Sequence, residues 1–263
     1  MKQTQNTNQT SVAPKPESSN FNLARTKRGC MTTMKSGISL YDPNFLPQAD
    51  ADRLIAALKK LPWKRHTMKM YGKEIPMPRL YQWFGLTPCI YGETITPHEW
   101  TPETLEIQER VHKATGVRFD SLNINYYRPG GTDHLGWHSD DTKEGLWEFP
   151  IASVSLGAVR EFQTCPYNGN GKWKRRFHKH FGKPDQPVAL EHGSLVVMPA
   201  GSQEFYVHRL KKATKQQGTG ARINLTFRMM RLLTTASIPT ARWAASSSRA
   251  TTPRPPTASG TPN

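Results

Sequence analysis

The chain has 263 residues, enough for one large domain or two small ones, and 36% of them are hydrophobic, enough for a buried core. Its 36 lysines and arginines outnumber 20 acidic residues, and the formal charge of +16 favours a polyanionic partner, nucleic acid before an anionic membrane surface; basic tails that only aid solubility are the alternative. Three widely spaced cysteines with no CxxC pair argue against a zinc ribbon and a disulfide framework, and no apolar run is long enough for a membrane span.

The two ends of the chain are poor in apolar residues. Residues 1–40 are rich in Asn, Gln, Thr, Ser and Lys, and residues 234–263 are dominated by Ala, Ser, Thr and Pro. Such segments bury too little apolar surface to offset the entropy of ordering. We therefore predict a disordered basic tail over 1–40, one folded domain over 41–233 and a second disordered tail over 234–263. The cysteines indicate a reducing intracellular compartment, cytoplasm or nucleus, and the basic start leaves an organelle transit sequence open.

Two helices are predicted in the first half of the domain. The spacing of apolar residues over 49–60 predicts a short helix that ends before Pro62, with one apolar face formed by Leu54, Ile55, Leu58 and Leu61. Residues 102–115 predict a second helix, because Pro102 suits a first turn and Gly116 suits the position after the last. The Pro- and aromatic-rich stretch between them predicts irregular chain or short strands.

The second half of the domain has the pattern of a β protein. Short β-rich runs are separated by Gly, Pro and Asn: SLNINYY, PIASVSLG, REFQT, ALEHGSLVVMP, QEFYVHRL and ARINLTFRMM. Several such runs at short spacing predict an antiparallel sandwich or barrel. The expected order is therefore two helices followed by an all-β barrel.

Residues 133–141, DHLGWHSDD, hold two histidines and three aspartates. On an extended segment, side chains two apart point to the same face, so His138 and Asp140 can bind one ion together while Ser139 points away. One imidazole and one carboxylate are two thirds of the facial triad that holds non-haem Fe(II) and leaves positions open. The alternative is a polar turn on the surface. A third ligand on a later strand would favour the metal site over this alternative.

His208, in QEFYVHRL, is the candidate for the third ligand. Phe205 and Val207 alternate with polar neighbours there, as they would on a half-buried strand. Three of the other histidines lie before the barrel, one lies in a predicted turn, and His178 and His180 lie in a basic segment where repulsion disfavours a cation. His134 would face the same side as His138 only if the strand ran straight through Gly136. A purely structural role for His208 remains the alternative.

Residues 222–228 predict a strand with one apolar and one cationic face. Arg222, Asn224, Thr226 and Arg228 alternate with apolar residues, so both arginines lie on the same side. If that side faces into the barrel, the arginines need anionic partners. A dicarboxylate would satisfy both through paired charge-assisted hydrogen bonds.

These elements together resemble the AlkB family of Fe(II)- and 2-oxoglutarate-dependent dioxygenases, which remove alkyl lesions from nucleobases. The resemblance rests on HSD, His208, RINLTFR and NYY at 125–127, and it extends over roughly 76–230, including PRLYQWFG and PIASVSLGAVREF. It implies a mainly β fold with flanking helices and a double-stranded β-helix (jelly-roll) core. It also implies oxidative dealkylation of bases in DNA or RNA, with 2-oxoglutarate converted to succinate, and so a role in DNA repair.

The family pattern assigns roles to individual residues of this chain. The resemblance implies that His138, Asp140 and His208 bind Fe(II), beside an open position for O2. It further implies that 2-oxoglutarate is held by five residues, Asn125, Tyr127, Arg222, Thr226 and Arg228.

Two residues are expected to contact the substrate base. Asp141 matches the second acid of the family's HxDD variant, with a helix cap or exposed turn as the alternative, and Tyr91 lies where members place base-contacting aromatic residues. Trp83 is a further candidate, with core packing as the alternative. An enzyme that acts on a base extrudes it from the helix and stacks it on planar side chains.

Electrostatic attraction of the nucleic acid is expected from two basic strips: Lys172, Lys174, Arg175, Arg176 and Lys179; and Arg209, Lys211, Lys212 and Lys215. We expect DNA rather than RNA as the partner, no membrane association and a monomer. One alternative is a 2-oxoglutarate oxygenase that acts on a protein or small molecule. The other is a non-catalytic jelly-roll module that binds nucleic acid.

Overall fold

The computed structural model describes residues 37–70, 73–86, 88–91, 93–140, 149–167, 182–213 and 219–230. Its elements, in chain order, are β1 Leu40–Asp42, α1 Gln48–Leu58, β2 Thr67–Met70, β3 Lys73–Pro76, β4 Leu80–Gly85, β5 Cys89–Tyr91, β6 Glu93–Ile95, α2 Pro102–Thr115, β7 Ser121–Tyr127, β8 Leu135–His138, β9 Ile151–Gly157, β10 Arg160–Pro166, β11 Val188–Leu190, β12 Ser194–Met198, α3 Ser202–Phe205, β13 Tyr206–Leu210 and β14 Arg222–Arg228.

Six strands form a large antiparallel sheet in the order β1-β12-β9-β14-β7-β4. Its centre is β14, which pairs with β7 over all seven residues, from Arg222 opposite Tyr127 to Arg228 opposite Ser121. On the other side β14 pairs with β9, with Arg222 opposite Gly157 and Asn224 opposite Ser155. The alternation of side chains along these strands therefore gives the sheet two faces of different character.

The two long helices cover the apolar face of the large sheet. Buried residues of α1 and α2 pack with Ile223, Leu225 and Phe227 of β14 and with apolar residues of β7, β9 and β12 in one core cluster. Helix α2 begins with a capping box between Thr101 and Thr104 and ends at Gly116, whose φ of 70° lies in the left-handed region. The predicted bounds of this helix are confirmed.

A smaller antiparallel sheet, β11-β10-β13-β8, and two hairpins, β2-β3 and β5-β6, complete the described architecture. A cavity is lined by residues of both the large and the small sheet. The fold is the mainly β, double-stranded β-helix core with flanking helices that the sequence predicts. No described helix has the length and apolarity that crossing a membrane requires.

Three sequence-based expectations need correction. Helix α1 ends at Leu58 rather than residue 60, because the chain tightens there: the Lys60 N–H donates to the Ala57 carbonyl at 3.0 Å and the Leu61 N–H to the Leu58 carbonyl at 3.2 Å, each three residues back. The barrel does not simply follow the helices, since β1 and β4 come early in the chain and join the large sheet. QEFYVHRL is not one strand, because Ser202–Phe205 form a helical turn before β13.

The predicted tails lie almost wholly outside the described residues. The first described residues already pair with the large sheet. The Ser39 backbone N–H donates to the Val197 carbonyl at 2.8 Å, and Leu40 lies opposite Val197 in the β1-β12 pair. The large sheet therefore includes Leu40, the last residue of the predicted 1–40 tail.

Candidate metal and cosubstrate site

A cavity of about 390 Å³ lies between the two sheets. Its wall combines the polar face of the large sheet with histidines and apolar side chains of the small sheet. The lining residues from these two sheets include Trp83, Asn123, Asn125, Tyr127, Leu135, His138, Ser153, Phe162, Met198, His208, Leu210, Asn224, Thr226 and Arg228. Arg79, Cys89, Ser139, Asp140 and Met230 complete the lining.

Three of these residues form a candidate metal-ligand cluster. His138 is the last residue of β8 and His208 lies directly opposite it on β13, while Asp140 follows two residues after His138. Asp140 Oδ1 lies 3.7 Å from His138 Nε2 and 4.0 Å from His208 Nε2, and the candidate ligand atoms of the three side chains lie within 4.8 Å of one another. Two imidazoles and a carboxylate on one side of an ion leave its other positions open.

Hydrogen bonds fix the ring of His138 in one tautomer. Its Nδ1 lies 2.9 Å from the Gly136 carbonyl oxygen and 3.0 Å from the His208 carbonyl oxygen. Carbonyl oxygens only accept, so Nδ1 carries the proton and donates. The lone pair is therefore on Nε2, which faces Asp140, as a metal-binding histidine requires.

Burial keeps both histidines neutral. It lowers the pKa of His138, although the nearby Asp140 carboxylate opposes this, and burial together with the neighbouring His138 lowers the pKa of His208 to about 3. A metal ion competes with protons for the same lone pairs. Because both imidazole rings are neutral at neutral pH, a metal ion could bind without displacing a proton from either of them.

Asp140 is held as a buried carboxylate. Its backbone N–H donates to Gln203 Oε1 at 2.9 Å, and its Oδ1 accepts from Arg228 Nη2 at 2.5 Å. Burial opposes ionisation, but the positive charge of the Arg228 guanidinium lowers the pKa of Asp140 below its usual value. The second oxygen, Oδ2, is buried with no hydrogen-bond partner in the described part of the chain, which fits a carboxylate that binds a cation.

A row of hydrogen-bonded polar side chains follows the inner face of the large sheet. Asn224 Nδ2 donates to Ser153 Oγ at 3.1 Å and to Thr226 Oγ1 at 2.9 Å. On the next strand, Asn125 Nδ2 donates to Asn123 Oδ1 at 3.2 Å. Because these residues are buried and already in register, they form a rigid polar wall beside the metal-ligand cluster.

The two arginines of β14 lie at opposite ends of this row. Arg228 lines the cavity next to Asp140, whereas Arg222 is wholly buried and its Nη2 donates to Ser155 Oγ at 2.9 Å and Asn224 Oδ1 at 3.1 Å. Arg222 Nε and Nη1 and Arg228 Nε are buried N–H groups without an acceptor among the described residues. Such donors fit a dianionic ligand, and 2-oxoglutarate has one carboxylate for each arginine.

The predicted substrate residues are only partly described. Asp141 and the strip Lys172–Lys179 lie outside the described residues, and Tyr91 belongs to β5 but its side chain is not described. Trp83 packs in a buried cluster with Met77 and Tyr81, as the core-packing interpretation expects, and it also lines the cavity, so its contact with a base stays a prediction.

Two side chains of the second basic strip, Arg209 and Lys211, already have partners within the protein. Lys211 Nζ pairs with Glu161 at 3.0 Å. Arg209 donates to Gln163 Oε1 at 2.7 Å and covers the ring of Trp137, with Cζ 4.2 Å from the ring centroid. Lys215 lies outside the described residues. These contacts make the strip a weaker candidate for phosphate binding than its charge alone predicts.

Sequence reasoning missed several residues of the site. Asn123 and Asn224 could have been found, because they lie in phase with the predicted Asn125 and Thr226. Arg79 could not, although it lines the cavity and its Nε donates to Asn125 Oδ1 at 2.6 Å, because nothing in its spacing relates it to β7. Gln203 belongs to the turn that was predicted as strand.

Comparison with known proteins agrees with this geometry. A family model described as the 2OG-Fe(II) oxygenase superfamily matches residues 39–228. The chain is 34% identical over 209 residues to the DNA oxidative demethylase ALKBH2 of Arabidopsis thaliana, a match that covers 73% of this chain and 66% of that protein's length. It is 32% identical over 197 residues to the human DNA oxidative demethylase ALKBH2, covering 70% of each.

The fold also matches a solved structure. That of OsALKBH1 superposes with a TM-score of 0.53 at 17% identity, covering 74% of this chain and 99% of the other. This likeness concerns the fold alone. The family match over most of the domain and the sequence relatives lead to one conclusion: the chain is an AlkB-like member of the 2OG-Fe(II) oxygenase superfamily, whose cofactor and cosubstrates are Fe(II), 2-oxoglutarate and O2.

Proposed function

We propose that this protein oxidatively demethylates N-alkylated bases in nucleic acid and couples the reaction to the decarboxylation of 2-oxoglutarate to succinate. The observation that carries the proposal is the adjacency, in one cavity, of the three-residue metal-ligand cluster and the polar row that ends in two arginines. Two relatives, at 34% and 32% identity, are named DNA oxidative demethylase.

In this proposal His138, Asp140 and His208 hold Fe(II). When bound there, Fe(II) would supply, with 2-oxoglutarate and O2 as cosubstrates, the oxidising chemistry that removes an N-methyl group from a base as formaldehyde. The protein's own task is to orient these groups and to exclude water. The apolar walls formed by Leu135, Phe162 and Leu210 serve the second purpose.

The polar row would hold the cosubstrate. Arg228 binds the carboxylate next to the metal and Arg222 binds the distal one, while Asn125, Tyr127 and Thr226 supply further contacts. Their positions are set by strand pairing before any ligand arrives, because Asn125 lies opposite Asn224 and Tyr127 opposite Arg222. A preorganised site of this kind loses little entropy when the ligand binds.

The substrate base would enter beside Trp83, Cys89 and Met230, which line the same cavity. We propose that Tyr91 stacks on the extruded base and that Asp141 accepts a hydrogen bond from its exocyclic amine, or balances the positive charge of 1-methyladenine or 3-methylcytosine. The basic segment Lys172–Lys179 would contact phosphates. We further propose DNA over RNA, a monomer and an intracellular site of action.

The test offers methylated DNA and RNA oligonucleotides to the protein with Fe(II), 2-oxoglutarate and O2, and measures the mass of the base and the release of formaldehyde. Loss of the methyl mass from a DNA oligonucleotide, absent with the His208→Ala protein, is expected. No reaction with any oligonucleotide, while a peptide or small molecule is hydroxylated, would contradict the proposal and favour the protein or small-molecule oxygenase. Nucleic-acid binding with no turnover of 2-oxoglutarate would favour the non-catalytic module.

A further inference from the structure

Two buried arginines flank the ring of Tyr127. The Cζ of Arg222 lies 5.1 Å from the centroid of this ring, and the Cζ of Arg160 lies 5.9 Å from it. Arg222 is 0% exposed, Arg160 and Tyr127 are each 2% exposed, and Tyr127 lines the cavity. Arg160 begins β10 in the small sheet, so the pair brings one cation from each sheet to the same ring.

Among the described residues, Arg160 forms hydrogen bonds with backbone carbonyls and no ion pair with a carboxylate. Its Nη2 donates to the backbone carbonyls of Asp133, at 2.8 Å, and Lys211. The side chain of Asp133 is bound on both oxygens by Arg128, at 2.9 and 2.8 Å. The Nε of Arg160 is buried and has no acceptor among the described residues.

The neighbourhood therefore has excess positive charge in a buried setting. Burial, together with a smaller effect of Arg160, lowers the pKa of Arg222 to about 10, while Tyr127 opposes the shift. Burial likewise lowers the pKa of Arg160, against the effects of Tyr127 and Asp133. Two like charges this deep repel each other, and an anion beside them would relieve the repulsion.

We propose that Arg160 is a positioning residue for the distal carboxylate of 2-oxoglutarate, a second buried cation that makes this end of the cavity selective for a dicarboxylate over a 2-oxo monocarboxylate. The inference rests on the proposed assignment of this cavity to 2-oxoglutarate. Arg160 acts from behind Tyr127 and through Arg222, without contact with the reacting atoms. Its carbonyl bonds hold it there, because both acceptors belong to the chain beside β8 and β13.

The physical reason is the low dielectric of the site. A charge several ångströms from a buried carboxylate still attracts it, because little water intervenes to screen the interaction. A ligand that ends in a methyl group gains nothing from this attraction. The contribution of Arg160 should therefore appear in the ratio of two affinities rather than in the binding of 2-oxo acids in general.

The test measures binding without turnover. Isothermal titration calorimetry on the Mn(II)-loaded full-length protein compares 2-oxoglutarate with 2-oxopentanoate, which has the same carbon chain and no distal carboxylate. The variants are Arg160→Gln, which keeps hydrogen-bond donors for the two carbonyls, Arg160→Met, which keeps only the stem, and Arg160→Lys, which keeps the charge. Arg209→Gln is the matched control, because that arginine alternates with His208 and lies against Trp137 on the opposite face of the small sheet. Thermal unfolding checks that each variant is folded.

We expect Arg160→Gln and Arg160→Met to lower the preference for 2-oxoglutarate about tenfold, equivalent to ~1.4 kcal/mol, through weaker 2-oxoglutarate binding alone. Arg160→Lys should retain most of the preference and Arg209→Gln all of it. An unchanged ratio in the neutral variants, or an equal loss for both ligands, would overturn the inference. A loss of preference in Arg160→Met but not in Arg160→Gln would also overturn it, because Arg160 would then act only by holding the two backbone carbonyls in place. If the wild-type protein binds neither ligand, the proposed function itself fails.

Discussion

The large and small sheets contribute to the same cavity in different ways. In the large sheet, β14 pairs with β7 over seven consecutive residues in one register, and two helices cover its outer face. In the small sheet, β8 has four residues and pairs with β13 only at His208 with His138 and Leu210 with Leu135, with a register shift between them.

The difference shows two ways to position functional groups. The polar row is fixed by regular strand pairing and by core packing behind it, so no single contact decides its geometry. The candidate metal ligands come from strand ends and depend on particular bonds, such as those of Asp140 with Gln203 and Arg228. Substitutions in the small sheet should therefore change metal binding first, and those behind the large sheet should change stability first.

The largest effect is expected for His208→Ala in the small sheet. Loss of one of three ligands should abolish turnover and weaken Fe(II) binding, while the fold persists because the core of the large sheet is untouched. Turnover of 2-oxoglutarate measures the loss of activity, and metal content measures the weaker Fe(II) binding. Thermal unfolding shows whether the fold persists. Full turnover in a metallated His208→Ala protein would rule out the assignment.

The converse is expected for Phe227→Ala in the large sheet. Phe227 is fully buried against Phe119 and Trp100, so the substitution should lower the free energy of unfolding by about 3–5 kcal/mol. At a temperature where the variant is still folded, its metal affinity should match the wild-type value. Phe227→Leu is the control and should cost less. A metal affinity that falls in step with stability would remove the distinction between the sheets.

Arg228 connects the two sheets, because it is the last residue of β14 in the large sheet and donates to Asp140, which follows β8 of the small sheet. Arg228→Leu should raise the 2-oxoglutarate requirement about tenfold or more, since a charge-assisted pair contributes roughly 1.5–3 kcal/mol. The apparent requirement in steady-state turnover at saturating Fe(II) measures this effect, with Arg209→Leu as control. If the requirement is unchanged, Arg228 serves only Asp140.

A smaller effect is expected for Gln203→Leu. The change leaves the buried N–H of Asp140 without its acceptor, which costs roughly 1–3 kcal/mol, part of which should appear as a several-fold weaker affinity for Mn(II). Gln203→Glu, which keeps an acceptor oxygen, is the matched variant and should bind the metal at least as well as Gln203→Leu. Equal affinity in wild type and Gln203→Leu would show that strand pairing alone positions Asp140.

The sequence predicts most of the features that depend on the spacing of apolar and polar residues along one strand or helix. The alternation in RINLTFR and NYY indicated which side chains share a face, and the pairing of β14 with β7 confirms that Arg222, Asn224, Thr226 and Arg228 lie on the side opposite the core. The helix over 102–115 was predicted from its Pro and Gly signals. These features depend on residues near one another in the chain, so they can be read locally.

Long-range contacts could not be predicted in the same way. The bond of Arg79 to Asn125 joins residues 46 positions apart, and that of Gln203 to Asp140 joins residues 63 apart. The approach of Arg160 and Arg222 to Tyr127 likewise depends on how two sheets meet. No local pattern specifies such contacts, because they arise from tertiary packing.

The most direct test of the central claim is the stoichiometry of products with a methylated DNA oligonucleotide. Succinate and formaldehyde should form in equal amounts, with one methyl group lost from a base for each pair, and the unmethylated oligonucleotide should release no formaldehyde. Succinate formed at the same rate with both oligonucleotides, without formaldehyde or loss of methyl mass, would contradict the account.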